Sequence, residues 1–121
     1  MATYAAVDIG TNALRLLIAE TDGPRRDLRP LLQQRRITRL GAGLSRSGNI
    51  SEEAQERTLQ ALLSFQNTIR DQGVGKVTVA ATSAVREAQN GKEFLRQAEK
   101  VTGWTIEVLS GEEEARRTLL G

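Results

Sequence analysis

The sequence predicts a single α/β domain built on a mixed five-stranded sheet, with three strands in an antiparallel meander and two more reached through helices. Three observations carry this. Two apolar runs at the N-terminus are separated by a Gly-Thr-Asn turn, Leu59, Leu62, Phe65 and Ile69 recur at helical spacing, and a β-branched run at Lys76 to Ala81 is followed by a second helix and strand pattern. A chain of 121 residues with 39% hydrophobic residues can bury a modest core of two or three layers.

Taken in order, Thr3 to Ile9 reads as a strand broken by Gly10, Thr11 and Asn12, and Leu14 to Glu20 as its hairpin partner. Asp22-Gly23-Pro24 signals a reversal into a third strand between Leu28 and Leu40, and Gly41 to Asn49 reads as a loop. Ser51 suits the N-cap of a helix whose first turn holds Glu52 and Glu53, and Gly73 suits its stop. Lys76 to Ala81 is a short buried strand, with Thr82 and Ser83 at a helix start. Asn90 and Glu93 form a capping-box pattern for the helix of Phe94, Leu95, Ala98 and Val101, which Gly103 ends. Trp104 to Leu109 is the fifth strand, and Ser110 with Glu113 repeats the capping-box pattern before a helix toward Leu120. Strands one, four and five are expected to run parallel.

Composition narrows the chemistry. With no cysteine and no histidine, the chain excludes disulfides, thiolate nucleophiles, Ser-His-Asp catalysis and sulfur-based zinc sites, leaving carboxylates, hydroxyls, amides and arginines. A net charge of +2 gives no general attraction to nucleic acid, and 3% aromatic residues leave no stacking platform for single strands. Arginines 25, 26, 29, 35, 36 and 39 cluster, and a solvated strand face or loop accounts for them better than a polyanion track. No apolar run reaches the ~18 residues of a membrane span and no secretory signal is recognisable, so a soluble cytoplasmic protein is expected.

In open α/β sheets ligands gather beyond the carboxyl ends of parallel strands, where loop amides and helix N-termini converge. Each of the three parallel strands here ends in polar residues: Asp8, Gly10, Thr11 and Asn12; Thr82, Ser83 and Arg86; Ser110, Glu112, Glu113 and Glu114. Asp8, at the end of an apolar strand, suits either a metal or a hydrogen bond to its own turn. Arg86, at an expected helix start, implies an anion to offset it or a neighbour such as Glu87. The three glutamates favour the helix dipole. If Glu113 serves the cap, Glu112 or Glu114 is left to face a cleft as a base.

Three segments together resemble the exopolyphosphatase/guanosine pentaphosphate phosphatase family of the actin-like, ribonuclease H-like ATPase-domain superfamily. They are Ala-Val-Asp-Ile-Gly-Thr-Asn-Ala-Leu-Arg-Leu-Leu-Ile-Ala at 6–19, Ala-Thr-Ser-Ala-Val-Arg-Glu-Ala at 81–88 and Glu-Val-Leu-Ser-Gly-Glu-Glu-Glu-Ala-Arg at 107–116. The resemblance implies hydrolysis of terminal phosphate from polyphosphate or guanosine pentaphosphate, with Mg2+ as cofactor. It implies Glu114 as the base that activates water, with Glu113 as its acidic neighbour. It implies Asp8, Gly10, Thr11, Asn12, Arg15, Ser83 and Arg86 as phosphate-binding residues, with Asp8 near the magnesium. It also implies a homodimeric parent protein, no membrane or specific nucleic-acid partner, and a link to the stringent response. The family's second phosphate motif, Asp-x-Gly-Gly-Gly-Ser, does not occur in this sequence. Residues 1–121 are therefore expected to be the N-terminal half of a two-domain phosphatase, folded but inactive alone. Two other readings remain at this point, an actin-like ATPase or sugar kinase half-domain and a noncatalytic phosphate-binding module.

Overall fold

A computed structural model describes residues 2–21 and 28–113. The first strand, β1 (Ala2–Ile9), pairs antiparallel with β2 (Ala13–Thr21), which pairs antiparallel with β3 (Leu28–Ile37). On the other side β1 pairs parallel with β4 (Lys76–Ala81), and β4 parallel with β5 (Ile106–Val108), giving the order β3-β2-β1-β4-β5. The expected meander and parallel trio are both observed. The Asp22-Gly23-Pro24 turn lies outside the described residues.

Strand alternation decides which face is buried. Register sets Ala5, Val7 and Ile9 of β1 beside Ile18, Leu16 and Leu14 of β2 and Val77, Val79 and Ala81 of β4, on one face. That face packs against α2 (Glu52–Asp71) through Leu59, Leu62, Phe65 and Ile69, and its core also holds Phe94 and Ala98 of α4 (Gly91–Thr102). Each such large apolar side chain contributes about 1.5–3 kcal/mol on burial. The opposite face carries Tyr4, Ala6 and Asp8, then Arg15 and Leu17, then Lys76 and Thr78. An apolar groove of about 380 Å³ runs along it between Tyr4, Ala6, Leu17, Ala19, Lys76 and Thr78, well below the strand ends where the polar loops lie.

Helix α2 starts as its sequence directs, with the Ser51 hydroxyl accepting the Ala54 amide at 3.1 Å. Three details depart from expectation. A one-turn helix, α1 (Leu44–Ser47), interrupts the Gly41 to Asn49 loop. Between β4 and β5 stand two helices, α3 (Ser83–Glu87) and α4, because the chain turns after Glu87 and restarts at Gly91. Gly91 permits this junction, since a Cβ there would overlap the Val85 carbonyl oxygen. Asn90 makes no capping bond to α4. It reaches across instead, accepting the Ile50 amide at 2.8 Å and donating to the Ile50 carbonyl at 2.9 Å, which satisfies two backbone groups ahead of α2 at once.

Candidate active site

The turn after β1 is braced by several backbone hydrogen bonds. The Gly10 amide donates to the Ala13 carbonyl at 3.0 Å, closing the turn, and a Cβ on Gly10 would come within 2.8 Å of that oxygen. The turn's carbonyls are held from outside, Asn12 accepting the amides of Thr38 and Arg39 at 3.1 and 3.0 Å and Thr11 accepting that of Gly41 at 2.9 Å. Arg57 in turn donates through Nε to the Thr38 carbonyl at 3.0 Å. With its carbonyls turned toward residues 38–41, the turn leaves the Thr11 and Asn12 side chains exposed. Asp8 sits opposite Arg15 across the β1–β2 ladder, and Arg15 opposite Arg35 across β2–β3, so both arginines share the Asp8 face.

The turn after β4 meets this one directly. The Thr82 amide continues the ladder to the Ile9 carbonyl at 3.2 Å, and Ser83 opens α3 with its hydroxyl 2.7 Å from that of Thr11. Arg86 corrects the sequence reading. Because α3 has only five residues, Arg86 lies in its last turn, where a cation is favoured rather than disfavoured, so no anion is required to account for it. Its Nη1 donates to the Leu109 carbonyl at 2.6 Å, joining the β4 turn to the end of β5.

Beyond β5, the Leu109 amide donates to the Ala81 carbonyl at 2.9 Å and residues 111–113 are helical. Here the expected N-cap forms, with the Ser110 hydroxyl as the partner of both Glu113 groups. Glu113 donates its amide to the Ser110 hydroxyl at 3.1 Å, and that hydroxyl stands 3.3 Å from the Glu113 carboxylate. The Glu113 side chain is thus taken up by the cap, as its position three residues after Ser110 suggested. Glu114, the residue expected to act as base, lies outside the described residues.

The three turns at the carboxyl ends of β1, β4 and β5 therefore form one connected rim through the Thr11–Ser83 and Arg86–Leu109 bonds. It brings together Gly10, Thr11, Asn12, Ser83 and Arg86, with Asp8 and Arg15 at the ends of the strands that feed it. Sequence reasoning missed the backing of the first turn, residues 38–41, which read only as strand end and loop. The Leu-Gly-Ala-Gly-Leu run at 40–44 was the available signal, its paired glycines marking close backbone approach.

Among the described residues no group of three or more carboxylate or histidine side chains could enclose a metal ion. Magnesium makes a weaker demand, since it keeps several waters and commonly binds through one or two carboxylates and the substrate's phosphates, and an exposed carboxylate such as that of Asp8 is compatible with it. Among the same residues no helix is long and apolar enough to cross a membrane.

A model of the Ppx/GppA phosphatase family matches residues 17–121. In three dimensions the chain is similar to the crystal structure of the Ppx/GppA family member of Aquifex aeolicus. The identity is 34% and the TM-score 0.89, over 95% of this chain and 37% of that one. It is also similar to the crystal structure of an exopolyphosphatase from Cytophaga hutchinsonii, at 31% identity and a TM-score of 0.87, over 94% of this chain and 36% of that one. A more distant likeness to RuvC of T. thermophilus in complex with Holliday junction substrate bears on the fold alone. It has 14% identity and a TM-score of 0.53, over 92% of this chain and 64% of that one. The five-stranded mixed sheet is the ribonuclease H-like, actin-like ATPase fold that the sequence segments implied. The chain spans a little over a third of the length of the two Ppx/GppA structures.

Proposed function

The chain belongs to the Ppx/GppA phosphatase family, and we propose that its rim of turns is one wall of a site that removes the terminal phosphate of inorganic polyphosphate or guanosine pentaphosphate. Phosphoryl transfer asks little covalent chemistry of a protein and depends on positioning and charge stabilisation, which amides, hydroxyls and guanidinium groups supply. The observation that carries the reading is the linkage of the three strand-end turns into a single edge by the 2.7 Å Thr11–Ser83 and 2.6 Å Arg86–Leu109 bonds.

In this mechanism the amides of Thr11 and Asn12 and the hydroxyl of Ser83 receive phosphate oxygens, Gly10 closing the turn that presents them, and the guanidinium groups of Arg15 and Arg86 hold them from the side. Asp8 is the residue that would hold a magnesium ion, which when bound supplies positive charge to the phosphate oxygens. Glu114 takes a proton from the attacking water as its oxygen bonds to the terminal phosphorus. The anhydride P–O bond breaks, and the electron pair leaves with the shortened chain. Glu113, bonded to the Ser110 hydroxyl, is the acidic neighbour of Glu114 in the sequence. We assign turnover to the family-length protein rather than to this wall alone.

Phosphate release from tripolyphosphate and from guanosine pentaphosphate by the family-length protein tests the reading. Glu114→Gln should lower kcat by about 10²–10⁴-fold while leaving phosphate binding largely intact, the range a general base contributes. Unchanged turnover in that variant removes Glu114 from the mechanism.

A further inference from the structure

Residues 38–41 lie behind the proposed phosphate turn rather than in it, yet they donate every external backbone hydrogen bond that its carbonyls receive among the described residues. Their closest approach is at Gly41. A Cβ built there would overlap Cγ2 of Thr11, while its next neighbour, the Thr11 carbonyl oxygen, stands at an ordinary 3.6 Å. Gly41 is not among the glycines with positive φ, so its backbone would accept alanine and the obstacle is this one methyl group.

That methyl shares its carbon with the Thr11 hydroxyl, and Thr11, being β-branched, turns about χ1 as a unit. Rotating Cγ2 away from an added Cβ therefore carries Oγ1 off its 2.7 Å bond to Ser83. Shifting the turn instead strains the 2.9 Å bond from the Gly41 amide to the Thr11 carbonyl. The first route breaks the side-chain bridge between the β1 and β4 turns and the second loosens the β1 turn from its backing, while the ladder bond from the Thr82 amide to the Ile9 carbonyl stays.

We infer that Gly41 is a positioning residue for the phosphate turn: its bare α-carbon seats the Thr11 side chain so that its hydroxyl bridges to Ser83. The inference rests on the proposed function for its consequence, though not for its geometry.

The test uses Gly41→Ala, Thr11→Ser and the double variant of this chain, with the Thr11→Ser change removing only the methyl that obstructs Cβ. Amide NMR shifts of Gly10, Thr11, Asn12 and Ser83 are followed as tripolyphosphate with magnesium is titrated, and thermal unfolding is recorded for each variant. Gly41→Ala should weaken binding by roughly tenfold, as when a displaced turn gives up one of its hydrogen bonds to a charged ligand. Thr11→Ser sets its own baseline for a turn without the methyl, and the double variant should bind as Thr11→Ser does, the added Cβ costing nothing further once the methyl is gone. Wild-type affinity in Gly41→Ala, or a double variant weaker than Thr11→Ser, overturns the inference. If the wild-type chain shows no shift with tripolyphosphate, the phosphate role of the turn fails, and the Gly41–Thr11 coupling is decided by the unfolding midpoints. Non-additive midpoints, with the double variant above Gly41→Ala, then uphold the coupling, and additive ones end it.

Discussion

The turn after β1 and the segment after β5 border the same rim but are held in opposite ways. Gly10 to Asn12 is fastened through its own backbone to residues 38–41 and through Thr11 to Ser83, contacts that span 26 to 72 positions of sequence. Ser110 to Glu113 is organised locally by the Ser110 hydroxyl cap and tied to the sheet by the Leu109 amide and the Arg86 guanidinium. The difference suits the role proposed here for the first turn. A cradle for phosphate oxygens must be rigid before the ligand arrives, which long-range backbone bonds provide and a local cap does not.

The largest expected effect is on both regions at once. Gly91→Ala places a Cβ against the Val85 carbonyl in the α3–α4 junction and should displace α3, which carries Ser83 and Arg86. A loss of about 3 kcal/mol in chemical denaturation is expected, the upper part of the range for forced overpacking, because the obstacle is backbone. A change below about 0.5 kcal/mol, ordinary for a surface position, would mean that the junction yields freely and does not position α3.

Arg86→Ala separates the two regions. Removing the donor to the Leu109 carbonyl should cost about 1.5 kcal/mol, the low end for a charged hydrogen bond because Arg86 is exposed. Hydrogen exchange at Leu109 to Glu113 should quicken while the amides of Gly10 and Gly41 keep their protection. Equal quickening at Gly10 would break the comparison, showing one cooperative unit rather than two.

Ser110→Ala has the smallest expected effect, about 1 kcal/mol or less, as for other lost N-caps. Because the cap is local, restoring it with Ser110→Asp should return stability nearly to wild type. Failure of that rescue would argue that Ser110 serves something other than the helix start.

Much of the architecture was legible because it follows from short-range rules. The Lys76–Ala81 strand, the Ser51 cap and the Ser110 cap are set by β-branching, side-chain oxygens and spacing that act within a few residues. The Asn90–Glu93 pattern obeys the same local rule and was misread, because Ile50, 40 residues earlier, offers Asn90 both a donor and an acceptor. Arg86 was misplaced electrically for a related reason. Nothing in Ser-Ala-Val-Arg-Glu marks a helix of one turn, and its length follows from α4 restarting at Gly91 against Val85.

What the sequence determined by itself was the sheet's strand content, the chemistry that histidine- and cysteine-free turns can perform, and the family to which three short segments belong. What only the tertiary structure decided was which of those turns touch, that Arg86 braces Leu109, and that residues 38–41 stand behind Thr11 and Asn12. The physical reason is range. Propensity, capping and alternation act over a few residues, whereas a backbone carbonyl's partner is settled only when packing brings distant segments within about 3 Å.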